Sequence, residues 1–247
     1  MTKNKWVNHY SDNTGAQVSL FCFPHAGGSS LYFARWARIF SPNINTYPVE
    51  YPMREKRVGE LMPESLQALA ESMAEECLTQ FQKPFSLFGH CTGAIIAYEV
   101  AVYLERYHGL TPQALFVSSS VAPEHSKMQA IQDMPDEEFI AFIRNYGTVN
   151  PVFLENKELM DYYLPIVRKD FELHRNYIYN STHSPLRCPL FALNGADDFN
   201  ILSHKQVGDW KNHTFNRFEA EIFNGGHFYL DEHLAEVCNF IENRVVV

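Results

Sequence analysis

The chain has 247 residues, 46% of them apolar, and a formal charge of -9 from 20 basic and 29 acidic side chains. A chain of this length and apolar content can bury a sizeable core, normally as one domain in α/β proteins, and its negative balance disfavours nucleic acid and anionic membrane as partners. The odd set Cys22, Cys77, Cys91, Cys188 and Cys238, without a CxxC pair, excludes a disulfide framework or zinc site as the expectation; with no signal-peptide core at Met1 to Tyr10 and no 18-residue apolar run, a reduced cytoplasmic setting is expected.

In chain order, the first strand is expected at Val18 to Phe23, followed by the glycine loop Phe23 to Ser30 and the run Leu31 to Phe40. A second strand is expected at Thr46 to Tyr51. A helix follows at Ser65 to Phe81, with Leu66, Leu69, Ala70, Met73, Ala74, Cys77 and Leu78 on one face. Next come a strand at Pro84 to Phe88, a helical run at Ala94 to Tyr107 and a strand at Ala114 to Ser118. The stretch from about 121 to 186 interrupts this alternation, because its two helical segments, Pro135 to Tyr146 and Glu158 to Tyr177, have no strand between them. Its content of Phe139, Phe142, Ile143, Tyr146, Tyr162, Tyr163, Ile166, Val167 and Phe171 suits a lid over an apolar pocket; the competing reading is a helical hairpin that only packs on the sheet. Strands at Pro189 to Asn194 and Arg217 to Phe223 and a helix at Leu230 to Val245 complete the chain. The alternation predicts an α/β fold, a mostly parallel sheet flanked by helices, in one domain with a lid insertion.

The sharpest motif is Gly89-His90-Cys91-Thr92-Gly93, lying between an expected strand and an expected helix. A nucleophile on such an elbow takes a strained backbone, and the residues two positions away must be small for strand and helix to approach. The helix N-terminus behind Cys91 favours thiolate over thiol, more so with a histidine alongside. The other four cysteines read as buried structural residues. An elbow of this kind needs an acid and a histidine later in the chain. Gly195-Ala196-Asp197-Asp198 puts two carboxylates on the loop after one strand, and Asn224-Gly225-Gly226-His227 puts an imidazole after the next. Spacing alone does not choose between Asp197 and Asp198. The loop His25-Ala26-Gly27-Gly28 after the first strand supplies one oxyanion N–H and the residue after the nucleophile the other, which makes Ala26 and Thr92 the backbone candidates. His25 and His90 flank the site and are expected to orient its backbone, whereas His174, His183, His204, His213 and His233 lie in polar segments and are expected to be solvated.

The strings Phe23-Pro24-His25-Ala26-Gly27-Gly28, Tyr51-Pro52-Met53-Arg54-Glu55-Lys56-Arg57, the elbow, Cys188 to Gly195 and Gly225-Gly226-His227-Phe228-Tyr229-Leu230 span nearly the whole chain and resemble the type II thioesterases. These stand-alone α/β-hydrolases act beside nonribosomal peptide and polyketide synthases. The resemblance implies the α/β-hydrolase fold and the acid at the fourth residue of a G-x-x-D turn, Asp198. It also implies acyl groups drawn from the phosphopantetheine of an acyl or peptidyl carrier protein, a small-molecule acyl thioester as substrate, and no resident cofactor or metal. The family usually carries serine and an apolar residue where this chain has Cys91 and Thr92. An acyl-cysteine is itself a thioester, so the acyl group keeps its activation for attack by an amine or another carrier's thiol. Hydrolysis through an acyl-Cys91 intermediate is the leading expectation, with acyl or aminoacyl transfer or amide formation by the same Cys-His-Asp set as the alternative. A second alternative is a noncatalytic carrier-binding module on the same fold. Arg54, Lys56 and Arg57 are read either as a solvated loop or as contacts to the acidic carrier and its phosphate.

Overall fold

A computed structural model describes residues 4–8, 13–127, 134–147, 153, 156–201 and 204–245. Six strands, β1 Val18–Phe23, β2 Ile44–Pro48, β3 Phe85–His90, β4 Leu115–Ser118, β5 Leu190–Gly195 and β6 Phe218–Phe223, form one sheet in the order β2-β1-β3-β4-β5-β6. All five pairings are parallel, and with the flanking helices the architecture is the α/β-hydrolase fold. Strand side chains alternate between two apolar layers, as a pleat requires. Phe21, Leu87, Leu115 and Ala192 face α1 (Leu66–Glu76) and α2 (Thr92–Tyr103); Leu20, Phe88, Phe116 and Phe191 face Trp36 and the C-terminal helix.

The expected second strand is displaced, running from Ile44 to Pro48 instead of Thr46 to Tyr51. It lies at the sheet edge, where Pro48 is tolerated because the ladder bond to β1 is made by the next residue, the Val49 N–H donating to the Cys22 carbonyl at 2.9 Å. The run after β1 forms short 3-10 turns, Ser30–Phe33 and Trp36–Arg38. Helix α1 starts where Ser65 accepts the Ala68 N–H, an N-cap, and it ends at Glu76, earlier than the apolar stripe suggested. The last helical segment divides at His233 into α6 (Tyr229–Glu232) and α7 (Leu234–Val245), with a short α5 at His204–Gly208 before β6.

Between β4 and β5 stand α3 (Asp136–Tyr146) and α4 (Lys157–Arg175); the rest of the expected 121–186 insertion includes 128–133, 148–152 and 154–155, outside the described residues. Phe139 and Ile143 of α3 pack with Met160, Tyr163, Leu164, Val167 and Phe171 of α4 in a third apolar cluster. That cluster also takes in Ala26, so the two helices rest on the loop after β1. Among the described residues no helix is long and apolar enough to cross a membrane, and no group of three or more His, Cys, Asp or Glu could hold a metal ion.

Candidate active site

Cys91 stands between β3 and α2 with φ 55° and ψ -121°, a conformation that L-residues other than glycine rarely adopt. Its N–H donates to the Ser118 carbonyl at 2.8 Å, and its carbonyl accepts the Ala94 N–H at 3.0 Å, so the strain is held from both sides. A Cβ at Gly89 would overlap the Gly93 carbonyl, and one at Gly93 would overlap the carbonyls of Phe23 and Pro24. The two glycines therefore let strand, helix and the loop after β1 share one small volume.

His227 follows β6 on the Gly225-Gly226 loop, where Gly225 has φ 99°. Its Nδ1 lies 2.9 and 3.0 Å from the two oxygens of Asp198. Asp198 is fixed in turn, because its Oδ1 accepts the Asn200 N–H at 3.0 Å. Asp197 is exposed and touches the site only through its backbone N–H on the Gly225 carbonyl, so geometry distinguishes the two aspartates that spacing left open. A Cβ at Gly195 would strike the carbonyls of Gly225 and Gly226, which is how the acid loop and the histidine loop come to lie against each other.

Cys91 and His227 are both buried. His227 Nε2 completes no hydrogen bond of standard geometry, yet it feels the Cys91 charge, an approach looser than a finished hydrogen bond. Burial pushes the Cys91 thiol up, but the adjoining His227 charge and its loose approach to the sulfur, with the Thr92 backbone N–H, overrule it and hold the thiol below its ordinary value. The other four cysteines go the opposite way: burial raises Cys22 well above its ordinary value and Cys77, Cys188 and Cys238 to about 12. For His227, burial works downward, but the Cys91 charge and then the Asp198 hydrogen bond raise it to about 9. The two shifts run in the direction that favours a thiolate beside an imidazolium. In Cys91→Ala the largest raising influence is gone, so the His227 midpoint should fall clearly below 9 in a histidine NMR titration; an unmoved midpoint would show that the sulfur carries no charge.

Ala26 and Thr92 line one small hollow together with Tyr51 and Asp170. Among the described residues no acceptor takes the Ala26 N–H, and the Thr92 N–H is directed at the sulfur. Next to Ala26, Gly27 turns with φ 74°, and a Cβ there would overlap Tyr163 and Val167 of α4. The Gly27 N–H donates to Asp170 Oδ2 at 2.7 Å. The same carboxylate takes two bonds from Arg54, at 2.8 and 2.7 Å, and Arg54 also donates to the Gly28 carbonyl at 2.8 Å. This ion pair is buried, its side chains 4% and 6% exposed.

Several expectations are corrected here. Arg54 belongs to neither of its two sequence readings, because it is sealed inside as the partner of Asp170. Arg57 is buried as well, bonded to the Glu50 carbonyl and Glu60 and stacked on Trp6, and only Lys56 is exposed. His174 and His213 are not solvated: His174 lies between Thr92 and Ser126, and His213 between Tyr98 and Glu124. Both histidines sit in polar-looking segments whose burial is set by distant partners. The side chain of His204 lies outside the described residues. His90 and His25 are buried; burial, then the charge of His227, depresses both, His25 to about 3, so they remain neutral.

Asp170 and Tyr146 are residues that sequence reasoning passed over. Asp170 lies three and four positions after Val167 and Ile166 on the apolar stripe of α4, a polar residue in a core register and the one available signal. Tyr146 had been read only as lid bulk. Its ring stands 5.2 Å from that of His227, and burial, then the charge of Cys91 and a hydrogen bond to it, hold the phenol well above its ordinary value. A cavity of about 980 Å3 adjoins the site, walled by His25, Tyr32, Arg38, Tyr163 and Phe228 among others. Cys91, Asp198 and His227 do not line it; His25 and Phe228 stand between, with Phe228 5.1 Å ring to ring from His227.

Comparison with known proteins matches residues 18–245 to the thioesterase domain family. The chain is 33% identical over 243 residues to the thioesterase PikA5 of Streptomyces venezuelae, covering 98% of this chain and 86% of that protein. It is 32% identical over 239 residues to the gramicidin S biosynthesis protein GrsT of Aneurinibacillus migulanus, covering 96% and 93%. Among solved structures, the type II thioesterase BorB from the borrelidin biosynthetic cluster superposes with a TM-score of 0.90 at 32% identity over 99% of both chains.

Proposed function

The chain belongs to the thioesterase domain family, and from that premise we propose that it cleaves acyl thioesters carried on the phosphopantetheine of acyl or peptidyl carrier proteins of nonribosomal peptide or polyketide synthesis, through an acyl-Cys91 intermediate. The observation that carries the reading is the pairing of a buried, strained Cys91, the only one of five cysteines lowered below its ordinary value, with His227 backed by Asp198.

In this reading the Cys91 thiolate attacks the thioester carbonyl carbon. The carbonyl oxygen becomes an oxyanion held by the Ala26 and Thr92 N–H groups. As the carbon–sulfur bond to pantetheine breaks, the leaving thiolate takes the proton from His227, leaving acyl-Cys91 and a neutral imidazole. A water then attacks the new thioester while His227 accepts its proton and Asp198 stabilises the imidazolium. Cys91 departs as thiolate, and the free acid completes the cycle. Helices α3 and α4 serve as the lid, with the Tyr146 ring 5.2 Å from that of His227, and the 980 Å3 cavity beyond His25 and Phe228 has room for a mid-sized acyl group.

The cysteine itself favours transfer to an amine or a second carrier thiol as the other outcome, because acyl-Cys91 and acyl-pantetheine are both thioesters of similar energy. Exposure to acylated carrier followed by intact-mass measurement is expected to show the acyl increment on Cys91 and none in Cys91→Ala. Free acid in the absence of any acceptor supports hydrolysis, whereas product only with added unloaded carrier or amine supports transfer. No adduct on Cys91 and unchanged turnover in Cys91→Ala would reject the proposal, leaving the noncatalytic carrier-binding alternative.

A further inference from the structure

Three buried polar side chains form a chain that starts beside Cys91. Thr92 Oγ1 lies 4.0 Å from the Cys91 sulfur and 2.7 Å from His174 Nδ1, and His174 Nε2 lies 2.6 Å from Ser126 Oγ. Thr92, His174 and Ser126 are buried, 2%, 5% and 6% exposed. The three come from different elements: the start of α2, the last turn of α4 and the turn after β4. Such a buried polar chain is retained only where every member is satisfied, and here both ring nitrogens and both hydroxyls have partners.

We propose that Thr92 and His174 form a second hydrogen-bond relay to the nucleophile, in which His174, supported by Ser126, orients the Thr92 hydroxyl to donate to the Cys91 sulfur whenever that sulfur is anionic. The inference rests on the reading of Cys91 as the nucleophile. Burial alone holds His174 down at about 4, so it is neutral and carries one N–H. A neutral imidazole between two hydroxyls allows two coherent arrangements. In one, Ser126 donates to Nε2, Nδ1–H donates to Thr92, and Thr92 donates to the sulfur. In the other, Thr92 donates to Nδ1, Nε2–H donates to Ser126, and the sulfur donates its own proton to Thr92. Only the first offers a thiolate a donor, and only the second suits a thiol. The charge on Cys91 therefore selects the sense of the chain. The two arrangements carry the same three protons on Ser126, His174 and Thr92 and differ in which His174 nitrogen bears its hydrogen and in which way the hydroxyls point, while the sulfur's own proton is exchanged with His227.

This relay suits a cysteine enzyme in particular. The sulfur is an anion both before it attacks and when it is expelled from acyl-Cys91, so a donor at its flank keeps it ionised before acylation and stabilises it on departure. Once the sulfur is acylated it is a poor acceptor, and the Thr92 hydroxyl turns back to His174. Thr92 touches the reacting sulfur, and His174 acts through it as a positioning residue. The groups facing the sulfur from the other elements are His227, with Asp198 behind it, Tyr146 of α3 and Tyr51, whose hydroxyl bonds the Pro24 carbonyl at 3.2 Å.

The test follows the rate of Cys91 alkylation by iodoacetamide against pH, read by peptide mass spectrometry. Wild type should show an inflection below that of an ordinary thiol, and His227→Ala should raise it. Thr92→Val, which removes the donor and keeps the shape, is expected to raise the inflection by ~1 unit or more, and Thr92→Ser to leave it in place. His174→Phe should follow Thr92→Val; if that variant does not fold, the two Thr92 variants decide. Coincident inflections for wild type and Thr92→Val, with His227→Ala still raised, would overturn the relay alone. An ordinary wild-type inflection unaffected by His227→Ala would remove the nucleophile reading and the relay with it.

Discussion

Cys91→Ala is expected to lower kcat/KM for an acylated carrier by about 10^4- to 10^6-fold, the scale seen when the nucleophile of a hydrolase triad is lost. The magnitude reflects a change of pathway. On the proposed mechanism, water must then attack the thioester directly, with His227 and the proposed Ala26 and Thr92 oxyanion donors left to assist but no covalent intermediate. His227→Ala should fall in the same range, because the buried sulfur loses the charge that holds it ionised and the leaving thiol loses its proton donor. The double variant should be barely slower than either single one, since groups that act as a unit are not additive. Steady-state cleavage of a chromogenic acyl-pantetheine thioester measures all three. Retention of more than a few per cent of activity in Cys91→Ala would contradict the assignment, and additive losses in the double variant would mean that the two residues do not share one step.

The elbow could be read in the sequence because its requirements are local. A residue at φ 55° between a strand and a helix needs small neighbours two positions away, and Gly89 and Gly93 announce that need without reference to the rest of the chain. The loops of Asp198 and His227 are legible for a related reason, since each follows an apolar strand and carries glycines where two backbones must nearly touch. Parallel pairing follows from the rhythm of apolar runs and helices, whereas that rhythm leaves the strand order open. What the sequence concealed lies on the two helices between β4 and β5. Asp170 and His174 are one helical turn apart on the buried face of α4, and nothing local says that one meets Arg54 and the other Thr92, 116 and 82 residues away. The polarity of His174 and His213 suggested water, but a buried histidine needs only two partners to satisfy it, and those come from the fold. Arg54 and Arg57 were misread for the same reason: charge near a loop predicts solvent unless its counterpart can be seen.

The second large effect is structural, and it concerns Asp170. Its carboxylate is the only described partner for two Arg54 N–H bonds and for the Gly27 N–H, so Asp170→Ala leaves a guanidinium 4% exposed with no counter-charge and a buried backbone donor unpaired. Breaking a buried pair from one side costs about 3–5 kcal/mol, which for a domain of this size lowers Tm by ~10 °C. Replacing both ends, as in Arg54→Met with Asp170→Leu, removes the stranded charge and should recover much of that loss. Recovery must stay incomplete, because the Gly27 N–H and the Gly28 carbonyl still lose their partners. Those two groups belong to the loop that carries Ala26, so the double variant separates stability from function: calorimetry should show a Tm near that of wild type, while thioester cleavage stays well below it because the loop bearing the proposed oxyanion donor Ala26 is no longer tethered to α4 through Gly27. A double variant no more stable than Asp170→Ala would mean that the cost lies in packing and not in charge. A fully active double variant would mean that the loop after β1 holds its shape without the ion pair, and that α4 covers the site without helping to build it.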